Sequence, residues 1–164
     1  MTTTAQQHFS AETGGTPTAK GRFVTVDAIE PVSFLPGLDF QPVLGEDTMV
    51  NFVRFQPHTE APRHAHAEEQ IVVVLDGQFD FEIDGEVRTL RPGDVAVVPS
   101  WVPHGARTGE VGCLEADVFN PPRETLLEHA RTQRERELDA LAQTEIGVAA
   151  PAAGNGNGNG NGQA

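Results

Sequence analysis

Residues 70–98 read QIVVVLDGQFDFEIDGEVRTLRPGDVAVV, and this stretch decides the fold class. Short apolar or alternating segments are separated by the pairs Asp76-Gly77 and Asp84-Gly85. Asp-Gly pairs tolerate the positive φ angles of tight hairpins, so a hairpin turn is expected at each pair. Short alternating segments with frequent turn signals predict an all-β sandwich or barrel.

The same two-residue alternation continues on both sides of this stretch, and helical periodicity is absent from it. The segment at 71–75 differs, because it is apolar on both faces. A strand of this kind is covered inside by the barrel and outside by another layer or subunit, which predicts a homodimer. The predicted strands are 23–29, 49–55, 70–75, 78–83, 87–90, 94–98 and 111–119.

The flanking segments differ in composition from this central domain, which we place at 23–122. Residues 1–22 hold few large apolar side chains, and they predict a flexible arm. Residues 123–145 are rich in Leu, Ala, Glu and Arg and predict a C-terminal helix, either docked on the barrel by a thin apolar stripe or solvated. Residues 146–164 end in alternating Asn and Gly, which predicts a disordered tail.

Composition excludes several classes of function. The 24 acidic and 11 basic residues give a net charge of −13, which repels phosphate backbones and argues against nucleic-acid binding. The apolar runs are strand-sized, which argues against a membrane protein. Cys113 is the single cysteine, and the first residues lack the pattern of a secretory signal. We therefore expect a cytoplasmic protein.

Three histidines and a glutamine form a spaced set with the residue types of a metal site. His64 and His66, two apart on an extended segment, can point to the same side of the backbone. Gln70 follows four residues later, at the start of an apolar strand. His104 follows a proline-bounded turn that can aim it at the same point. Histidines outside this set, His58 and His129, are assigned to the surface.

These spacings resemble the two sequence motifs of the cupins, small β-barrels that hold a metal ion inside. Every gap of the two motifs is matched, from position 58 to 77 and from 93 to 108. Four identities differ: His58 and Trp101 stand where the motifs have glycine, Gln70 where they have an acidic ligand, and Thr108 where they have asparagine. The resemblance implies a cupin-type double-stranded β-helix, or jelly-roll barrel, with His64, His66, Gln70 and His104 as metal ligands.

The glutamine has a chemical consequence, because an amide oxygen cancels none of the charge of a bound ion. Three imidazoles and one oxygen suit a divalent transition metal such as Zn, Fe, Mn or Ni, without selecting one of them. A centre of undiminished charge is suited to polarise a carbonyl or stabilise an enolate. This chemistry favours Lewis-acid catalysis over oxygen activation.

The strand at 113–119 alternates between an aliphatic and an acidic face, and alternation alone leaves open which face lies inside. An inward Asp117 would be a general acid or base, whereas an outward one would be solvated. The stretch from Asp117 to Arg123 resembles single-domain cupins that include pectin-degradation proteins which ketonise unsaturated uronates. In those proteins the resemblance implies that the aspartate moves a proton and the arginine holds a carboxylate.

The leading hypothesis is a metal-dependent isomerase or tautomerase acting on a small polar or anionic molecule, with Asp117 and Arg123 as catalytic residues. An Fe(II)-type dioxygenase with the same ligand set is the first alternative. A non-enzymatic barrel that binds a small molecule is the second.

Overall fold

The computed structural model describes residues 16–147, with side chains to residue 141. The predicted arm lies outside these residues from 1 to 15, and the predicted tail lies outside them from 148 onward. Within the described residues the first element is a short 3-10 helix, Val26–Ala28. Ten strands and one helix follow it in the same part of the chain: β1 Val32–Leu35, β2 Leu38–Leu44, β3 Met49–Phe55, β4 Glu60–His64, β5 Glu69–Gly77, β6 Phe79–Ile83, β7 Glu86–Leu90, β8 Val95–Val98, β9 His104–Arg107, β10 Cys113–Asn120 and α1 Glu124–Gly147.

The strands form two antiparallel sheets that face each other. The larger has the order β1-β2-β3-β10-β5-β8, and the smaller has the order β4-β9-β6-β7. Strands distant in sequence therefore lie side by side, as in a jelly roll. The predicted all-β cupin-type fold is confirmed.

The core lies between the sheets and is built from the inward half of each alternating strand. In β5, Val72 and Val74 are almost fully buried, whereas Leu75 is 44% exposed. Phe79 of β6 packs against Phe55 of β3, with ring centroids 5.7 Å apart. Burial of such side chains contributes roughly 1.5–3 kcal/mol each to folding.

Two local expectations were wrong. Residues 23–29 form no strand: they contain the 3-10 helix, and Phe23 is fully exposed. Gly77 closes no hairpin, because β5 pairs with β10 and β8 while β6 belongs to the other sheet. The chain crosses between sheets there, and a Cβ on Gly77 would lie 2.0 Å from the carbonyl oxygen of Gly112. Gly85 does lie in the β6–β7 hairpin, with φ +88°.

The motif positions that lack glycine keep a glycine-like backbone. His58 and Trp101 have φ of 58° and 65°, in the left-handed region that β-carbons disfavour. The Trp101 amide donates to the His66 carbonyl at 2.7 Å, which holds this turn beside the second histidine. Thr108, at the motif position of asparagine, accepts a hydrogen bond from the Thr59 amide. This bond connects the segment that follows β9 to the segment that precedes β4.

Helix α1 docks on the barrel only through its first turns. Leu126 is buried, and Ala130 packs against the core, whereas Leu138 and Leu141 are 53% and 64% exposed. The first half of the helix is therefore docked on the barrel and the second half is solvated, so each of the two alternatives holds for one half. No helix among residues 16–147 combines the length and the apolar character that crossing a bilayer requires.

Candidate functional site

The three imidazoles of the predicted ligand set converge at one end of the barrel. His64 ends β4 and is the register partner of His104, which begins β9. His66 follows two residues after His64. One ring nitrogen from each side chain lies within 4.8 Å of the corresponding nitrogens of the other two.

Backbone carbonyls orient all three rings in the same way. Nδ1 of each histidine lies 2.8–3.0 Å from a carbonyl oxygen two residues away in sequence. A carbonyl oxygen can only accept, so each Nδ1 carries the proton and donates it. The Nε2 atom of each neutral ring then carries a lone pair, the form in which histidine binds a metal.

The residues fit a metal ion. Nε2 of His104 is buried and has no hydrogen-bond partner. Nε2 of His66 faces Oε1 of Gln70 at 3.2 Å, which brings two acceptors together. A shared cation would satisfy all of these buried lone pairs. Burial lowers the pKa of His104 to about 4 and lowers the pKa of His64 and of His66, so the rings are neutral and able to ligate.

Gln70 connects the histidines to Asp117. Its side chain is buried at the start of β5, and its Nε2 donates to Oδ1 of Asp117 at 2.7 Å. This hydrogen bond turns Oε1 toward His66. The amide therefore presents an oxygen to the ligand cluster and a donor to the carboxyl group.

Strand β10 turns its acidic face inward, which the alternation left open. Glu115 and Asp117 are 4% and 6% exposed. Burial raises the pKa of Asp117 to about 7, against the opposing effects of Gln70 and Arg123. Burial and the neighbouring Asp117 raise the pKa of Glu115 well above its ordinary value. Asp117 can thus gain or lose a proton near neutrality, whereas Glu115 holds its proton.

Arg123, directly before α1, reaches the same space. Its guanidinium carbon lies 5.7 Å from the centre of the Phe119 ring, and its Nε is buried without a partner. Burial lowers its pKa, while Glu68 and Asp117 act in the opposite direction. A half-buried guanidinium group with an unpaired Nε is suited to an anionic ligand group.

A cavity of about 390 Å³ joins these groups. Its polar lining includes His64, Gln70, His104, Asp117 and Arg123. The structure therefore brings together five of the six predicted site residues on one cavity. The sixth, His66, does not line the cavity, but its Nε2 faces Gln70, which does.

Three polar residues of the cavity were not assigned from the sequence: Asn51, Arg63 and Glu115. Oδ1 of Asn51 and Oε2 of Glu115 are buried without partners. The inward alternation of Met49, Asn51 and Val53 on β3 was the available signal for the first.

The residues that were set aside differ in placement. His58 is exposed beside Glu110, at 3.6 Å, as predicted. His129 is not a plain surface residue, because its ring packs on Phe34 with centroids 4.9 Å apart. Trp101 is 68% exposed.

Comparison with known proteins agrees with this geometry. Residues 51–112 match the model of the cupin domain. The pectin degradation protein KdgF of Dickeya dadantii (strain 3937) is 32% identical over 83 residues, which are 50% of this chain and 76% of that protein. The chain belongs to the cupins.

Solved cupin structures are similar to this chain over about two thirds of its length. KdgF from Halomonas sp. superposes with a TM-score of 0.62 at 32% identity, over 65% of this chain and 99% of that one. An RmlC-like cupin from Shewanella frigidimarina NCIMB 400 gives a TM-score of 0.61 at 30% identity, over 65% and 96%. Within the cupins, this chain resembles the pectin-degradation subgroup.

Proposed function

We propose that this cupin is a metal-dependent enzyme that catalyses keto–enol isomerisation, or a related proton transfer, on a small anionic molecule. The observation that carries the proposal is the contact between Gln70 and Asp117, which couples the histidine cluster to a carboxyl group of pKa about 7. The likeness to proteins named for pectin degradation supports an acid as substrate.

His64, His66, Gln70 and His104 would hold the ion. A divalent ion bound there supplies Lewis acidity to a substrate oxygen. The orienting carbonyls keep the three Nε2 lone pairs directed at one place, so the ligands are preorganised.

Asp117 moves the proton. In ketonisation the enol oxygen loses a proton and the adjacent carbon gains one, so no oxidant or co-substrate is consumed. A group with a pKa near the working pH is present in both protonation states, which suits it to give and regain a proton in one cycle. The hydrogen bond from Gln70 fixes the carboxyl group, so its free oxygen can face the substrate.

Arg123 binds the anionic group of the substrate. Arg123, whose Nε has no partner, lines the cavity that Asp117 also lines. Pairing there would orient the reacting carbon relative to Asp117. The helix docking through Leu126 positions the segment that carries Arg123.

The test uses metal-loaded protein purified without a metal-binding tag. A panel of enolisable acids (an unsaturated uronate, oxaloacetate and phenylpyruvate) is followed by loss of enol absorbance, with oxygen uptake recorded in parallel. Asp117→Asn should retain stoichiometric metal and lose about 10²-fold in rate. Substrate-dependent oxygen uptake would instead support the dioxygenase alternative, and binding without turnover would support the non-enzymatic one.

The ligand set is tested separately by metal content. His104→Ala should abolish stoichiometric metal binding, because it removes one of three converging imidazoles. His58→Ala, on an exposed turn, is the control. Unchanged metal content in the His104 variant would contradict the assignment.

We further propose that the chain forms a homodimer through the outer face of the larger sheet. Ile71 and Val73 of β5 point away from the core beside Val95 and Val97 of β8, which are 55% and 53% exposed. Two copies with a net charge of −13 repel each other, and this apolar face lets them meet without acidic side chains. Across a two-fold axis the same apolar patch of each copy would meet its counterpart on the other.

Sedimentation velocity tests the dimer. Val97→Lys should give a monomer, whereas Val87→Lys, a valine of equal exposure on the smaller sheet, should not. A monomeric unmodified chain would contradict the proposal.

A further inference from the structure

The cavity changes character with distance from the histidines. Along the inner face of β10, Asp117 pairs with Asn51 of β3, whereas Glu115 pairs with Val53. The next inward pair is Cys113 with Phe55. Across these three pairs the inner face of the larger sheet passes from polar to apolar, and Val53 and Phe55 line the cavity at its apolar end.

The other walls continue this apolar surface. On the smaller sheet, Phe81 pairs with Ala106, next to the pair of Ile83 with His104. Strands β1 and β2 add four more apolar side chains to the wall: Phe34, Leu35, Leu38 and Phe40. Beyond the histidines, most of the cavity wall in the described part of the chain is therefore aromatic or aliphatic.

Hydrogen-bonding groups are sparse in this part of the cavity. Oε2 of Glu115 and Oδ1 of Asn51 are buried and lack partners. Glu115 is flanked in register by Val53 and Val74, an environment that favours the neutral, proton-donating carboxyl group. A ligand with several hydroxyl groups would leave most of them unpaired against the apolar wall, and unpaired buried polar groups weaken binding.

We infer that the substrate is an enolisable acid with one anionic group and an apolar, aryl-sized body, and that Glu115 offers a hydrogen bond to a single polar atom on that body. The enolisable character of the acid rests on the proposed function. The apolar, aryl-sized body and the role of Glu115 rest on the cavity walls. The anionic group pairs with Arg123, and the body lies between Val53 and Phe81. The volume of about 390 Å³ is within the range of small-molecule sites.

This substrate class differs from the uronates that the resemblance implies. A uronate carries hydroxyl groups around its ring, and this cavity offers them few partners. The two substrate classes therefore predict opposite orders of affinity in the same protein.

Calorimetric titration of the metal-loaded full chain with phenylpyruvate, pyruvate and an unsaturated uronate tests the inference. Phenylpyruvate should bind at least about tenfold more tightly than either other acid, since a buried apolar group contributes factors of this order. Equal or tighter binding of the uronate would overturn the substrate class. This comparison uses the unmodified chain and requires no variant.

A matched pair of substitutions locates the preference. Val53→Thr adds a hydroxyl group to the apolar wall. It should weaken the binding of phenylpyruvate several-fold while leaving the binding of pyruvate unchanged. Val87→Thr, on an exposed strand, should change neither. An unchanged ratio in a folded Val53 variant would overturn the placement of the body.

Turnover is measured on the same acids, so that the two proposals fail separately. Tight phenylpyruvate binding without enol–keto conversion of any acid would overturn the proposed function and leave the substrate class standing. Conversion of the uronate, with weak phenylpyruvate binding, would overturn the substrate class and leave the proposed function standing.

Discussion

Gln70 donates a hydrogen bond to Asp117 across 2.7 Å while its oxygen faces His66 at 3.2 Å. One amide thus spans the metal-ligand cluster and the group proposed to move the proton. A carboxylate at position 70 could not donate this hydrogen bond to Asp117, because it has no N–H. The departure of this chain from the acidic ligand of the cupin motif therefore acts on Asp117 as well as on the metal site.

We expect Gln70→Glu to separate metal binding from catalysis. The carboxylate remains a ligand, so metal content should stay stoichiometric. Asp117 loses its donor and gains an acidic neighbour, which raises its pKa further and keeps it protonated at neutral pH. Enol–keto conversion should fall about 10²-fold at pH 7. Gln78→Glu, on an exposed residue, is the control, and an unchanged rate in the Gln70 variant would contradict the coupling.

The stability of metal-free protein should depend on pH through Asp117. Its pKa is raised from 3.8 to about 7, so between these values the folded state holds a proton that the unfolded state has released. The contribution of Asp117 to the free energy of unfolding therefore falls as pH rises from about 4 to 7, by up to about 4 kcal/mol, and falls no further above pH 7. The lowered pKa values of His64, His66 and His104 act in the opposite direction over this range, so the contribution of Asp117 is isolated by comparison with a variant.

Urea unfolding at several pH values, with a chelator present throughout, measures this contribution. Asp117→Asn should remove it, so the free energy of unfolding of the variant minus that of the unmodified chain should increase from pH 4 to 7. Asp84→Asn, in the exposed β6–β7 turn, should show no such trend. A constant difference across this range for Asp117→Asn would show that the carboxyl group is not held neutral.

Cys113 should be inert in the folded protein. It is 4% exposed, and burial together with nearby acids raises its pKa to about 12. The thiolate is the reactive form, so it is scarce at pH 8. Alkylation by iodoacetamide at pH 8 should be at least about 10²-fold slower than in urea. Labelling at equal rates in the two conditions would contradict the burial.

Helix α1 should contribute to stability through one half only. Leu126→Ala removes a buried side chain and should cost about 2–4 kcal/mol of unfolding free energy. Leu138→Ala, at a position 53% exposed, should change it by less than about 0.5 kcal/mol. Equal effects of the two substitutions, measured by urea unfolding, would contradict docking through the first turns.

Local patterns in the sequence determined much of the barrel. The predicted strand at 49–55 coincides with β3, and those at 70–75, 78–83 and 94–98 agree with β5, β6 and β8 to within two residues at their ends. Alternation reports on a strand by itself, since each side chain faces core or solvent regardless of the strand's partners. The spacings within the two motifs, one holding His64 and His66 and the other holding His104, predicted a shared site, and the three side chains lie together.

The remaining features depend on contacts between segments that are distant in the sequence. Alternation in β10 is unchanged if its two faces are exchanged, so the inward position of Asp117 and Glu115 depends on how β3 and β5 pair with that strand. The role of Gly77 depended on its close approach to Gly112, a residue far along the chain. Asn51 became a cavity residue because β3 lies beside β10. These features are set by contacts between distant segments, which a local pattern does not encode.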